Sequence, residues 1–288
     1  MKITPLDAAL GARITDLDLS KTVADGEFER ICAAWLEHAV LIFPNQVLSE
    51  NHLVAFSARF GWLELPPASE SRTRGDGGAV LPEIWNISNV KVSGEAIGSL
   101  GNLEAEWHTD MSYLENPPTA SILYAREIPD QGGNTSFANM HAALEAMPKE
   151  LRRRLEGKSV IHDSAYTSVG ELRKGATIVA DVSDVRGAVH AAIRKHPESG
   201  RPVLYMGRRL NASFIDLPTQ QSERLLDEVW AFCTQPEFAY EHVWTVGDLV
   251  IWDNRSVIHR RDAFDNGERR IMWRTQVKAS AGTSQLTA

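Results

Sequence analysis

Two histidines and an aspartate carry the chemistry open to this sequence. His108 and Asp110, in Trp107-His108-Thr109-Asp110, stand two apart, so on an extended segment both side chains leave one face, where an imidazole and a carboxylate can share one metal ion. His259 lies 149 residues beyond Asp110 (259 minus 110), after the strand-like run Asp248-Leu249-Val250-Ile251-Trp252, and no histidine follows it. Two histidines and one carboxylate on one side of a metal leave its other positions open, which is the facial arrangement of non-haem iron(II) oxygenases. The same ligand set suits catalytic zinc. In a chain with nine histidines an H-x-D pair arises readily by chance, so these three residues need company.

Company is present at fixed offsets. Gly132-Gly133-Asn134-Thr135 ends 25 residues after Asp110 (135 minus 110), and Arg270 and Arg274 follow His259 at +11 and +15. With the stretches WHTD, NPPTASILYAREIPDQGGNTSF, VGDLVIWDNRSVIHR and RRIMWRT in this order, the chain resembles the taurine and phenoxyacetate (TauD/TfdA) family of Fe(II)/2-oxoglutarate-dependent dioxygenases, from near the N-terminus to about Lys278. The resemblance implies a double-stranded β-helix, a jelly-roll, cupin-like core that is mainly β and decorated by helices. It implies Fe(II) on His108, Asp110 and His259. The cosubstrate 2-oxoglutarate would chelate that metal and anchor its far carboxylate on Arg270 and the Thr135 hydroxyl. With O2, turnover would release succinate and CO2 as a C–H bond is hydroxylated. Arg274 matches the position that faces the acidic group of the primary substrate, so a small anionic organic molecule is expected.

The chain departs from the taurine enzymes after Arg59-Phe60-Gly61, where Pro66 and Ser69 occupy the positions of a His and a Tyr. That disfavours taurine and leaves an aryloxyalkanoate or related carboxylate as the leading class, ahead of a sulfonate. Halogenation is disfavoured because Asp110 is present.

Read without the resemblance, Arg270 belongs to a charge run, Glu268-Arg269-Arg270, that could be solvated surface. On a strand, however, Arg270, Met272 and Arg274 share a face opposite Ile271 and Trp273. A stripe of two arginines and a methionine suits a cavity that holds anions. Two other classes stay open: a cupin-type metal-binding protein without oxidative turnover, which has no need of Thr135 and Arg270, and a zinc hydrolase, which needs a general base such as Glu104 or Glu106. Asp253 and Asn254 read as structural, turning the chain so that His259 reaches the metal. His141, His162, His190, His196 and His242 receive no role.

The elements that position these residues are legible in outline. Phe28, Ile31, Cys32, Trp35 and Leu36 recur at helical spacing after Asp25, a candidate cap. Ser49 opens a second helix, with Leu53, Phe56 and Phe60 on one face. Strands are expected over Lys2 to Leu19 in two pieces, Val40 to Phe43, Glu83 to Asn89, Thr119 to Ala125 and Ser159 to His162. Helices are expected over Asn139 to Met147, Pro148 to Leu155 and Thr219 to Cys233. Segments 65–104 and 166–187, rich in Gly, Pro, Ser and charge, are expected to be lids.

Composition bounds the rest. The 288 residues are 43% hydrophobic and 24% charged, ordinary for one elaborated globular domain spanning 1–288. A net charge of −8 argues against a broad nucleic-acid or anionic-membrane surface, so an anionic substrate must be met by local arginines. Cys32 and Cys233 form no framework, and no signal-like apolar run opens the chain. A cytoplasmic enzyme is expected, without nucleic-acid or membrane partners and compatible with the homo-oligomers common in the resembled family.

Overall fold

The computed structural model describes residues 1–66, 73, 76, 78–173 and 175–278. In chain order the strands that build the site are β1 (Lys2–Pro5), β2 (Ala12–Thr15), β3 (Val40–Phe43), β4 (Trp85–Ser88), β5 (Ser99–Leu100), β6 (Ala105–His108), β7 (Ala120–Glu127), β8 (Thr135–Asn139), β9 (Ala239–His242), β10 (Leu249–Asp253), β11 (Val257–Arg261) and β12 (Ile271–Val277). The larger sheet has eight strands in the order β1-β2-β3-β10-β7-β12-β4-β5, and the smaller has four in the order β9-β8-β11-β6. Neighbours are antiparallel except β2 with β3 and β4 with β5. This is a β-sandwich of the jelly-roll kind.

Period-2 alternation sorts the side chains of the larger sheet. Leu41, Phe43, Ile122, Tyr124, Leu249 and Ile251 pack with Ile31, Trp35, Leu53 and Phe56, the buried faces of α1 (Asp25–His38) and α2 (Glu50–Ala58). The alternate residues Val40, Ile42, Leu123, Ala125, Val250, Trp252 and Met272 join Phe137 and Val257 of the smaller sheet in a second cluster between the sheets. With both faces covered, these strands read as unbroken apolar runs such as VLIF. On the far side, α3 (Met140–Ala146), α4 (Lys149–Leu155) and α5 (Thr219–Cys233) pack Leu144, Leu151, Leu226 and Val229 against Ala138 and Ile258 of the smaller sheet. The layers are therefore helices, large sheet, small sheet, helices.

One expectation changes. Asp25 is the first residue of α1 and not its cap: Ala24 holds that position without a side-chain bond, and the Asp25 carboxylate accepts from Arg59 Nη2 at 2.6 Å. Ser49, by contrast, forms a capping box with His52. Within segment 65–104, the strand expected over Glu83 to Asn89 is β4, which with β5 extends the larger sheet at β12. Pro66 is buried; Ser69 lies outside the described residues. Among the described residues, no helix is long and apolar enough to cross a membrane.

Candidate active site

The smaller sheet supplies both histidines. His108 ends β6, His259 is the middle residue of β11, and the two are register partners with ring centroids 4.2 Å apart. The register slips between His259 and Arg261, and this bulge lets Ala105, His108, His259 and Arg261 line one cavity. Asp110 is not on the strand. The chain leaves β6 after His108, Thr109 N–H donates to Gly207 O at 2.8 Å, and Met111 takes a left-handed φ of 51°. The turn still returns the carboxylate to the histidines: Asp110 Oδ1 lies 3.6 Å from His108 Nε2 and 3.9 Å from His259 Nε2. One ligand atom from each of the three lies within 4.8 Å of the others, all three residues are buried, and among the described residues no other such group occurs.

The surroundings prepare these atoms for a cation. His108 Nδ1–H donates to Glu106 O at 2.7 Å, which fixes the tautomer and leaves Nε2 with its lone pair facing Asp110. Burial, with the His108 and Arg274 charges, pushes the His259 pKa down to about 3 against the pull of Asp110, so its imidazole is neutral at neutral pH. Burial acts to raise Asp110, but Arg274 and both histidines outweigh it and hold the carboxyl well below the usual range. The other oxygen, Asp110 Oδ2, accepts from Ser121 Oγ at 2.7 Å. Ser121 Oγ in turn accepts from Asn254 Nδ2 and Gln276 Nε2, each at 3.0 Å. Ser121 and Gln276 are register partners on β7 and β12, so the larger sheet orients the carboxylate.

Arg270 precedes β12 and is 1% exposed. Its Nε and Nη2 are buried without a hydrogen-bond partner, and among the described residues no carboxylate pairs with it. Burial and the neighbouring Arg261 press its pKa down to about 9, which leaves it charged at neutral pH. A buried cation lacking a counter-ion suits an anionic ligand. Gly133 lies against it: a Cβ there would come within 3.2 Å of Arg270 Nε. Thr135 opens β8, is buried, and its Oγ1 accepts from Trp244 Nε1 at 3.0 Å, so its own hydrogen is free to donate.

Arg274, opposite Leu123 across β12 and β7, enters the same cavity as Arg270. Its guanidinium lies 4.8 Å from the Trp85 ring centroid, and Nη1 is 3.4 Å from Asp110 Oδ1. It therefore neighbours the triad carboxylate as well as the open space. The cavity wall is completed by Ile87, Leu100, Leu123, Trp252, Ser168 and Arg261, and Ser168 belongs to segment 166–187. Glu104 reaches Arg260 at 3.4 Å, and the Glu106 side chain is exposed. Neither carboxylate stands beside the triad as a hydrolase base would.

Of the remaining histidines, His196 pairs with Asp253 at 3.0 Å and His242 with Asp248 at 3.1 Å; His141 and His190 donate to backbone carbonyls. His162 is buried with neither ring nitrogen bonded. Asp253 anchors Arg255 and His196, and Asn254 reaches the triad through Ser121. Ser121, Gln276, Trp244 and Arg261 were not legible as site residues. For Arg261 a signal existed: it stands two after His259 on the same face of β11.

A family model described as taurine catabolism dioxygenase TauD, TfdA family matches residues 2–276. The chain is 34% identical over 291 residues to the (S)-phenoxypropionate/alpha-ketoglutarate-dioxygenase of Sphingobium herbicidovorans, covering 99% of this chain and 98% of that one. A crystal structure of a taurine dioxygenase from Burkholderia xenovorans superposes with a TM-score of 0.78 at 30% identity, over 97% of this chain and 89% of that one. A crystal structure of AAD-2 in complex with Mn(II) and N-oxalylglycine gives a TM-score of 0.79 at 29% identity, with 98% of each chain covered.

Proposed function

The chain belongs to the TauD/TfdA family of Fe(II)/2-oxoglutarate-dependent dioxygenases, and from that premise we propose that it hydroxylates a small aryloxyalkanoate or related carboxylate with release of succinate and CO2. In this reading, residues 1–288 work as one catalytic domain in the cytoplasm, with parts of 65–104 and 166–187 covering the site. His108, Asp110 and His259 hold iron(II), which the donor set fits: two buried imidazoles, one of fixed tautomer, and an ionised carboxylate. Iron(II) bound there, with 2-oxoglutarate and O2, supplies the oxidising power.

The protein's own work is binding and orientation. Arg270 receives the far carboxylate of 2-oxoglutarate, with the Thr135 hydroxyl donating beside it. Its unpartnered Nε and Nη2 disfavour a cupin without turnover, since such a protein gains nothing from burying an unpaired guanidinium. Arg274 receives the substrate anion and sets the reacting C–H bond against the metal, while Ile87, Leu100, Leu123 and Trp252 give the apolar body a dry wall.

The observation that carries the substrate class is this pairing of a buried arginine with an apolar wall in one cavity. A succinate-release assay with iron(II), ascorbate and a substrate panel tests it. Aryloxyalkanoates should stimulate far better than taurine or than their own amides and esters. Arg274→Leu should raise the KM for the carboxylate while uncoupled 2-oxoglutarate decarboxylation continues. Equal stimulation by the uncharged derivatives overturns the anion anchor, and a preference for taurine overturns the aryl class.

A further inference from the structure

A third arginine enters the cavity, and no step above uses it. Arg261 is the last residue of β11, 6% exposed, and it lines the same cavity as Arg270, Arg274, Thr135 and His259. Across the sheet its register partner is Thr135. Among the described residues no carboxylate pairs with it, and its Nε is buried without an acceptor. Its bonds are to a loop: Nη2 donates to Leu100 O at 2.9 Å and to Leu103 O. Leu100 is itself a cavity residue and holds a left-handed φ of 69°, a conformation that a leucine keeps only when its surroundings impose it. The loop is clasped once more beside Arg261, where Asn102 and Phe264 exchange two bonds of 3.2 Å. Arg261 thus touches the cosubstrate cavity with one edge and the 100–103 turn with the other.

Two like charges line one cavity, and among the described residues neither has a carboxylate partner. Arg261 lies near enough to Arg270 for its charge to act on it, and both are buried. A carboxylate placed between Thr135 and Arg270 neutralises that repulsion and offers Arg261 Nε–H its missing acceptor.

We infer that Arg261 is a positioning residue that shares the far carboxylate of the cosubstrate with Arg270 and, through Leu100 and Leu103, clamps the 100–103 turn over the occupied site. The inference rests on the 2-oxoglutarate reading above. The turn is already held by these bonds, and a cosubstrate that fixes the guanidinium making them tightens it further before any primary substrate arrives.

The test uses the full-length protein, Mn(II) and the unreactive analogue N-oxalylglycine, with binding followed by calorimetry and backbone ordering by hydrogen–deuterium exchange. In the wild type, N-oxalylglycine should slow exchange of amides in 100–104 by about tenfold or more. Arg261→Gln, which keeps donors but no charge, should raise the N-oxalylglycine Kd about tenfold or more and lose the protection, while Mn(II) affinity stays near wild type. Arg261→Lys should recover part of the affinity but little of the protection, since an ammonium lacks the two-edged fork. If the wild type binds N-oxalylglycine without protecting 100–104, the clamp is wrong, and this arm does not depend on any variant folding. If Arg261→Gln binds with the wild-type Kd, the shared carboxylate is wrong. If the wild type fails to bind N-oxalylglycine at all, the 2-oxoglutarate reading falls and takes this inference with it.

Discussion

Thr135 and Arg270 differ in what their loss leaves behind. In the proposed reading, Arg270→Ala removes a buried guanidinium and strands the incoming carboxylate, a loss of about 3–5 kcal/mol in cosubstrate binding, read as a steep rise in the KM for 2-oxoglutarate. Thr135→Ala removes one donor, worth about 1 kcal/mol, but it also deprives Trp244 Nε1 of its acceptor at 3.0 Å. Its effect should therefore appear in protein stability as well as in KM. An unchanged KM in Arg270→Ala would place the carboxylate elsewhere. Ser121→Ala should weaken metal affinity about 10–100-fold by freeing Asp110 Oδ2, measured by competition with a chelator; an unchanged affinity would mean the turn alone holds Asp110. The positions of these residues were unevenly legible. Arg270 was visible through its even spacing from Arg274 and its distance from His259. Ser121 was not, because a serine in an apolar strand carries no sign of the carboxylate that a turn eleven residues earlier will bring to it.

The strands were legible where both faces are buried, as in VLIF and LVIW, and the helices where apolar residues recur every three or four positions, as in Thr219 to Cys233. β4 was legible as part of the strand expected over Glu83 to Asn89, whereas the two-residue β5 carries no periodic signal and forms only by pairing with β4. The turn between β10 and β11 gives a prediction at this scale. Asp253 and Arg255 are 1% and 5% exposed, joined at 2.7 Å, and His196 closes on the same carboxylate. Removing the cation in Arg255→Ala leaves a buried carboxylate short of its main partner, so urea denaturation should show a loss of about 3–5 kcal/mol. A second prediction concerns His162, on the Ser159–Asp163 strand. Burial, together with His190, Arg194 and Arg208, holds its pKa well below 6.5. Its folded pKa is thus below its unfolded value, and the unfolded chain takes up a proton first as pH falls. The fold keeps full stability above about pH 6.5 and loses up to about 1.4 kcal/mol per pH unit below it from this group. His162→Phe should flatten the dependence of the urea midpoint between pH 7 and 5; an identical slope would move the effect to other groups.

Across the whole molecule, the site is where the two sheets meet. His108, His259 and Thr135 stand on the smaller sheet, while the Asp110 carboxylate is fixed by Ser121 and Gln276 of the larger, and Arg270 leads into the larger at β12. A metal drawn to the triad and a dicarboxylate reaching from it to Arg270 would therefore tie one sheet to the other across the interior. Any ligand that binds only the folded state stabilises it by mass action, about 2.7 kcal/mol at a hundredfold excess over Kd. For a chain of this size that corresponds to a rise in Tm of about 5–10 °C. Mn(II) alone should raise Tm, N-oxalylglycine should raise it further only when the metal is present, and the two increments should separate by mutation. His108→Ala should lose both, because the analogue needs the metal as its first anchor. Arg270→Ala should keep the metal increment and lose most of the second. The measurement is thermal unfolding of the three proteins with and without each ligand. If N-oxalylglycine raised the Tm of Arg270→Ala as far as that of the wild type, the dicarboxylate would not span the sheets, and the far end of its site would have to lie away from β12.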